Sequence, residues 1–417
     1  MNYFILELPH LEHEINLASD GGYHGVQNIS NSYDYIQRSV AHMSEHHGNK
    51  LEQVDALCLI MLNEPVTKPT FKNLDEIIFP VIQKLIQKYN LHSKCLFLTN
   101  SGVDQWQSYT AHNHLIDYLI IDPFRLYAYF QNNYNTSYHV EPLKSVPDSD
   151  KFMCKFGKID KMHSYITYCL LNDSNMLNPS KGIWSLHTPD LDDPQYQENM
   201  TKAIQRTSQS FSGAPQYDLE HIDRNNSSVG DLHPEDVNHS YGTFHYTGFP
   251  FDISTFESTG FSIVRETLAG MNTSNFLSEK YWIPVSVKHP VIVLGVMQKI
   301  EELKSDGYQS FDDFELSKIC SEITNYGHML KHFKSIIQKF YLTSKAQLQE
   351  IVDHNYELYL KHVNQDIDNL PKGSNHLGYA WHNGRCTFLE CILMHHYGNH
   401  YTSNHYFNFK AIRQAFS

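Results

Sequence analysis

The sequence predicts an α/β protein built from two units, each organised around a parallel sheet. Between residues 53 and 140, short apolar runs alternate with segments of helical periodicity, which is typical of βαβ units. A second alternation begins at residue 152. The 417 residues are 41% hydrophobic and 19% charged, so the chain has enough apolar material for sizeable cores.

The first unit is predicted from three apolar runs and one amphipathic segment. The runs at 55–62, 94–100 and 114–122 predict strands, and the apolar spacing over 73–91 predicts a helix. The stretch 141–151 gathers two prolines and several charges between periodic segments. This composition predicts a linker to the second unit.

The second unit is predicted to open with a strand at 152–157 and a helix over 163–177. A strand at 182–190 follows, and then a polar stretch, 191–250, that contains one helix near 195–210. Regular structure is predicted to return at 261, where a strand leads into a helix.

The remaining pattern predicts a buried strand at 291–295 and a helix over 297–307 that Gly307 ends. Long helices are predicted over 325–363. We therefore expect three regions: an amino-terminal domain, a carboxyl-terminal domain, and a helical extension with an aromatic and His-rich tail, over residues 1–145, 150–330 and 331–417.

Residues 261–314 are the densest source of chemistry. Glu266 follows a predicted strand, and Ser278 stands at the N-cap position before Glu279 and Lys280. A carboxylate at a strand end can accept both hydroxyls of a ribose, while a lysine beside exposed helix N–H groups neutralises a diphosphate. The alternative is that Glu279 and Lys280 form a solvated first turn, where the helix dipole favours Glu.

Four motifs in this block resemble a glycosyltransferase-like family that is frequent in tailed phages and other large DNA viruses. They are S-x-V-x-E-T from Ser262, F-L-S-E-K-x-W-x-P from Phe276, H-P-x-I-x-x-G from His289 and D-G-Y-x-S-F-D from Asp306. The second is also similar to the donor-site motif of fucosyltransferases. The resemblance covers roughly residues 150 to 365.

The resemblance implies a GT-B architecture, in which two Rossmann-like domains face each other across a cleft and carboxyl-terminal helices cross back to the first domain. The carboxyl-terminal domain would hold a nucleotide-diphosphate sugar. A segment that is usually rich in Arg in the family here carries Lys158, Lys161 and His163. The donor-binding residues expected on this basis are Glu266, Thr267, Ser278, Glu279, Lys280, Lys158, Lys161 and His163.

The resemblance also implies an acceptor-activating base in the amino-terminal domain. Asp20 and His24 lie beside glycines in the loop at 19–25, and Asp104 follows the strand predicted at 94–100. All three residues can equally belong to surface turns. We expect no cofactor and no required metal. The sequences DSD at 148–150 and DLDD at 190–193 are similar to the D-x-D motif of metal-dependent transferases, but both lie in polar loops, and GT-B enzymes usually work without a metal ion.

The function expected from these features is transfer of a sugar from a nucleotide diphosphate to an acceptor hydroxyl. A hydroxymethylated pyrimidine in viral double-stranded DNA is one acceptor, and a glycan or a protein is the other. The net charge of −14 opposes DNA binding. Residues 371–417, however, carry Lys372, Arg385, Lys410 and Arg413 against a single acidic residue, Glu390, and interleave aromatic residues such as Phe388 and Phe409 that could stack on bases. Two further alternatives are a catalytically idle binding module and a nucleotide-sugar epimerase.

The chain is expected to act in the cytoplasm, which is the host cytoplasm if the source is viral. Its seven cysteines are scattered and include no C-x-x-C pair, which predicts reduced thiols. The amino terminus lacks the pattern of a signal peptide, and no apolar run reaches the length of a membrane span.

Overall fold

The structure is a computed structural model, and it describes most of both units and part of the carboxyl-terminal extension. The described residues are 3–7, 55–61, 79–99, 107, 110, 115–134, 140–158, 161–187, 194–218, 221–222, 253–266, 277–294, 297–371, 388–390, 392–393 and 407–416. The elements below are numbered along these residues.

The first unit contains a four-stranded parallel sheet in the order β1-β2-β3-β4. Its elements are β1 (Tyr3–Glu7), β2 (Ala56–Met61), α1 (Phe79–Tyr89), β3 (Cys95–Thr99), β4 (Ile116–Ile120) and α2 (Pro123–Tyr134). The predicted strands at 55–62, 94–100 and 114–122 are confirmed. Strand β1 and helix α2 were not predicted. The partner of β1, strand β2, lies about fifty residues further along the chain.

The second unit contains another four-stranded parallel sheet, in the order β6-β5-β7-β8. Its elements are β5 (Phe152–Lys158), α3 (Met162–Asp173), β6 (Gly182–His187), α4 (Pro194–Ser210), α5 (Ile253–Glu257), β7 (Phe261–Arg265), α6 (Glu279–Ser286) and β8 (Val291–Leu294). The protein is thus an α/β protein with two parallel sheets, as the sequence predicted.

The strand order of the second sheet reverses between β5 and β7. From β5 the chain moves outward to β6 and then returns to the other side of β5 to form β7. In parallel α/β sheets, ligands bind outside the carboxyl ends of the strands at such a reversal, because the two connecting segments leave in opposite directions and open a crevice.

The pairing of β5 and β7 ends before the carboxyl ends of the two strands. The two strands are in register only from Phe152 with Phe261 to Cys154 with Ile263. Beyond Cys154, β5 continues beside β6 through an irregularity between Lys155 and Gly157. The two central strands therefore separate toward their carboxyl ends.

The elements after the second sheet are helical. They are α7 (Met297–Ser305), α8 (Glu315–Glu322), α9 (Tyr326–Leu342), α10 (Lys345–Asn369) and α11 (Phe409–Phe416). Gly307 ends α7 as predicted: its φ is +94°, its N–H donates to the Lys304 carbonyl at 3.1 Å, and the N–H of Tyr308 donates to the Leu303 carbonyl at 2.9 Å. Helix α9 spans the boundary expected at residue 330.

The carboxyl-terminal elements pack on the first unit. The N–H of Asn408 donates to the Tyr134 carbonyl at the end of α2, at 2.7 Å. The Phe416 ring meets the Phe130 ring edge to face at 5.8 Å. Phe388 is buried against Tyr3 of β1, with ring centroids 5.9 Å apart. The carboxyl-terminal elements thus share the hydrophobic core of the first sheet.

The predicted linker is packed along its length. The N–H of Leu143 donates to the Val287 carbonyl at 3.0 Å, and the N–H of Val146 donates to Gln349 Oε1 at 2.8 Å. Near its end, the Ser149 carbonyl lies so close to Gly260 that a Cβ there would stand 1.9 Å from the oxygen. The connection is therefore tied to α6, α10 and the start of β7.

In the part of the chain that the structure describes, no helix combines the length and the apolar character that a membrane span requires.

Candidate functional site

Glu266 stands at the carboxyl end of β7, beside the reversal of strand order. Its N–H continues the sheet by donating to the Leu294 carbonyl at 2.9 Å, and its side chain is buried. Oε2 accepts a hydrogen bond from the N–H of Ser278 at 3.1 Å. Oε1 is also buried, and no described residue donates to it. One carboxylate oxygen therefore holds the start of α6, and the other has no partner in the described part of the chain, which is unusual for a buried oxygen.

The environment of Glu266 raises its pKa to about 7. Burial is the main cause because it disfavours the charged carboxylate, while Lys280 and the hydrogen bond from Ser278 act in the opposite direction. Glu266 can consequently gain or lose a proton near neutral pH.

Helix α6 begins at Ser278, as the sequence predicted. The Ser278 backbone is extended, with φ −84° and ψ 178°, and its Oγ accepts a hydrogen bond from the N–H of Lys280 at 3.3 Å. The ammonium group of Lys280 forms an ion pair with Glu279 Oε1 at 2.9 Å. Both side chains are mostly buried, so this first turn is not the solvated turn of the alternative interpretation.

His163 lies in the first turn of α3, which follows β5. The side chain is buried, and its Nε2 has no hydrogen-bond partner among the described residues. Burial lowers the pKa of His163 well below its ordinary value, and the positive charges of Arg265, Lys161 and Lys280 lower it further. Lys161, Arg265 and Lys280 belong to the start of α3, to β7 and to α6, so positive charges from three elements act on His163.

Arg265, the last residue of β7, was not among the predicted site residues, and its side chain is buried. The sequence did contain a signal for Arg265. It is the single charged residue in FSIVR, a run whose other residues predict a buried strand. A charged side chain in such a position is rare unless it meets an opposite charge or serves a ligand.

We call these residues the strand-end cluster: Lys161, His163, Arg265, Glu266, Ser278, Glu279 and Lys280. It contains three cationic side chains, Lys161, Arg265 and Lys280, and two carboxylates, Glu266 and Glu279. Its formal charge is therefore +1 when His163 is neutral. The amino termini of α3 and α6, helices of 12 and 8 residues, begin at the same edge of the sheet. Together they suit a ligand with an anionic group and adjacent hydroxyls.

Other residues of the family-like motifs have structural contacts. His289 is buried, with Nδ1 2.9 Å from Ser262 Oγ and Nε2 2.9 Å from the Thr259 carbonyl. Asp312 is buried and accepts hydrogen bonds from the N–H groups of Phe314 and Leu316, at 3.1 Å and 3.2 Å. The contacts of His289 therefore stabilise the connection between β7 and β8, and those of Asp312 stabilise the connection between α7 and α8.

Several predicted residues lie outside the described residues. They are Asp20, His24, Asp104 and Thr267, together with the Lys158 side chain and the Asp-rich loop 190–193. Within the described ranges, no group of three or more His, Cys, Asp or Glu side chains is arranged to hold a metal ion. Asp148 of the other Asp-rich loop forms an ion pair with Lys345.

The described part of the tail is folded against the core. Phe388 and Phe409 are buried, and Arg413 pairs with Glu390 at 2.5 Å. These two aromatic rings are therefore not available for base stacking, and this arginine already has a carboxylate partner. Lys410 is exposed.

Comparisons of this chain with protein-family models, with curated proteins and with solved structures find no match.

Proposed function

We propose that the protein is a glycosyltransferase of the GT-B type that binds a nucleotide-diphosphate sugar at the carboxyl end of its second sheet. The observation that carries the proposal is that Glu266 Oε1 and His163 Nε2 are among the buried side-chain atoms that have no hydrogen-bond partner in the described part of the chain. One accepts and the other can donate, and both belong to the strand-end cluster. Buried polar atoms normally have partners, so this pair supports a ligand site.

The cluster divides into two parts that match the two polar parts of a nucleoside diphosphate. Glu266 offers a carboxylate oxygen to the ribose hydroxyls. The diphosphate is held by Lys161, His163 and Lys280 and by the positive ends of the α3 and α6 dipoles, with Arg265 adding positive charge. Lys280 exchanges its present partner Glu279 for a phosphate oxygen when the donor binds.

The same groups serve the reaction. When the bond between the sugar C1 and the diphosphate oxygen breaks, negative charge develops on the diphosphate, and the cations of the cluster stabilise it. The acceptor oxygen forms the new bond to C1 and passes its proton to a base of the first unit, for which Asp20, His24 and Asp104 remain the candidates.

The arrangement of the two units supports the GT-B part of the proposal. Asp122, which follows β4 at the carboxyl end of the first sheet, accepts a hydrogen bond from Trp282 Nε1 at 2.9 Å. Trp282 lies on α6, whose amino terminus belongs to the strand-end cluster. The carboxyl ends of both sheets thus meet around one helix, and α11 returns to the first unit.

The acceptor is a hydroxymethylated pyrimidine in duplex DNA or a hydroxyl of a glycan or protein. In the tail, the burial of Phe388 and Phe409 removes two of the aromatic residues on which the DNA alternative depends. A gel-shift and sugar-transfer assay on hydroxymethylated duplex across a salt series separates the two classes. Lack of binding at low salt together with lack of transfer excludes DNA, because phosphate contacts strengthen as salt falls.

The proposed function is tested by titrating the protein with a panel of nucleoside diphosphates and then incubating it with pooled nucleotide sugars and candidate acceptors. We expect saturable binding of at least one diphosphate and a mass increase of one sugar on an acceptor. Binding without transfer would support the idle binding module, and isomerisation of the donor would support the epimerase. Absence of binding across the panel would contradict the proposal.

A further inference from the structure

Asp122 connects the first unit to the helix that carries part of the strand-end cluster. Its Oδ1 accepts hydrogen bonds from the N–H groups of Phe124 and Arg125, at 3.1 Å and 3.0 Å, which caps the start of α2. Its Oδ2 accepts from Trp282 Nε1 at 2.9 Å. One carboxylate therefore joins the amino terminus of α2 to the middle of α6.

Trp282 is held in place on its other sides. The side chain is fully buried, and its ring meets the Tyr308 ring edge to face at 5.7 Å and the Tyr359 ring at 6.2 Å. The Arg125 guanidinium lies 5.2 Å from the centre of the indole ring, and Arg125 in turn pairs with Asp366 at 2.7 Å. Among these contacts, the hydrogen bond to Asp122 is the directional one, and it fixes the rotation of the indole.

A short path leads from Trp282 to the ligand-facing atoms. The N–H of Trp282 donates to the Ser278 carbonyl at 3.4 Å, and the N–H of Ser278 donates to Glu266 Oε2 at 3.1 Å. Lys280 lies two residues before Trp282 on the same helix. A rotation or shift of α6 would therefore move Lys280 and the hydrogen bond to Glu266 together.

We infer that Asp122 is a positioning residue for the nucleotide-diphosphate site, which it holds in place from the first unit through Trp282. The inference rests on the proposed function. Under this inference, the first unit contributes to donor affinity without touching the donor. The packing of the first unit against α6 is therefore coupled to donor binding in the second unit.

The test compares two substitutions of Asp122 with a matched control. Asp122→Ser keeps a good N-cap for α2 but is too short to reach Trp282 at the same time. Asp122→Asn keeps one carbonyl oxygen for the cap and turns an N–H group toward the indole N–H. Asp117→Asn is the control: it removes a carboxylate of the same unit, which pairs with Lys94 at 3.0 Å, without removing a hydrogen bond to α6.

Affinity for a nucleoside diphosphate that binds the wild-type protein is measured by calorimetry, at a temperature where thermal melts show every variant folded. Loss of one hydrogen bond predicts about threefold to tenfold weaker binding for both Asp122 variants, and a change of less than about twofold for Asp117→Asn. Affinity per folded molecule separates positioning from stability, because a merely structural contact would lower the melting temperature alone.

A double-mutant cycle supplies the second readout. Trp282→Phe removes the indole N–H, and in the Asp122→Ser background it should weaken binding by less than it does in the wild-type background. Wild-type affinity in both Asp122 variants would overturn the inference and leave the proposed function standing. Failure of the wild-type protein itself to bind any nucleoside diphosphate would overturn both.

Discussion

The N–H of Ser278 donates to Glu266 Oε2 across 3.1 Å, so the residue that caps α6 is tied to the end of the central strand β7. The contact spans twelve residues and orders the start of the helix against the sheet. It also uses only one of the two carboxylate oxygens, and Oε1 remains buried without a partner in the described part of the chain. This division of one carboxylate between structure and ligand underlies the first two predictions.

Replacement of Glu266 by Gln should abolish discrimination between ribose and deoxyribose. In the proposed site, the carboxylate accepts from ribose hydroxyls and should therefore favour a nucleoside diphosphate over its deoxy form. Gln keeps the size of the side chain but replaces one acceptor oxygen by a donor. The ratio of the two dissociation constants, measured by calorimetry, should fall toward one. An unchanged ratio would remove Glu266 from the ribose-binding role.

The same substitution should change how stability depends on pH. Glu266 has a pKa of about 7 in the folded protein, against 4.5 for an unperturbed Glu. Between these values the folded state binds more protons than the unfolded state, so this group costs stability as pH rises, by about 3 kcal/mol in all. Relative to wild type, the Gln variant should therefore gain unfolding free energy between pH 5 and pH 8.

Denaturant titrations of both proteins at the two pH values measure this difference. Glu350→Gln is a suitable control because Glu350 lies exposed on α10, and its pH dependence should match that of wild type. If the unfolding free energies of wild type and Glu266→Gln change equally between pH 5 and pH 8, Glu266 titrates at its ordinary pKa.

Replacement of His163 by Leu should weaken nucleoside-diphosphate binding while leaving the fold at least as stable. The imidazole is buried with Nε2 unpartnered in the described structure, and removing an unsatisfied buried polar group relieves a cost of about 1 to 3 kcal/mol. Binding, in contrast, loses a donor to the diphosphate. On the same sample, thermal melts should show equal or higher stability, and calorimetry should show weaker binding. Reduced stability with unchanged affinity would assign His163 to the core instead.

Gly260→Ala should destabilise the protein through the contact with the linker. A Cβ at residue 260 would stand 1.9 Å from the Ser149 carbonyl oxygen, so the backbone must move. We expect a loss of about 1 to 3 kcal/mol in unfolding free energy. Gly327→Ala is the matched control, because its new Cβ meets only Asn325 Oδ1 at 3.4 Å and the residue is helical. That variant should be neutral or more stable by up to about 1 kcal/mol. Equal stability of the two variants would contradict the tight contact.

Local chemistry explains which parts of the fold could be predicted from the sequence. The N-cap at Ser278 and the helix end at Gly307 depend on residues within one turn, and both were predicted correctly. Strand β1 was missed because a five-residue strand is defined by its partner, and β2 lies far along the chain. Helix α2 begins with Pro123 under the Asp122 cap, but its mostly aromatic and polar residues carry a weak periodic signal.

The candidate site shows the same limit. Glu266 and Lys280 could be selected because each follows a recognisable local boundary, the end of a strand and the start of a helix. His163 was expected there only through the family resemblance, and the strand order β6-β5-β7-β8 explains why the start of α3 lies at the same edge of the sheet as the end of β7. The pairing of Lys280 with Glu279 also could not be inferred, because adjacent residues at a helix start can point in different directions.

Titration of Lys280→Ala with a nucleoside diphosphate tests the central claim most directly. Lys288→Ala is the matched control, since Lys288 lies just beyond the opposite end of α6 and also forms an ion pair, with Asp353 at 2.7 Å. Loss of a charge-assisted contact predicts about 1.5 to 3 kcal/mol weaker binding for Lys280→Ala, or roughly 10-fold to 150-fold. Lys288→Ala should stay within about twofold of wild type. Wild-type affinity in Lys280→Ala would contradict a diphosphate site at the carboxyl end of the second sheet.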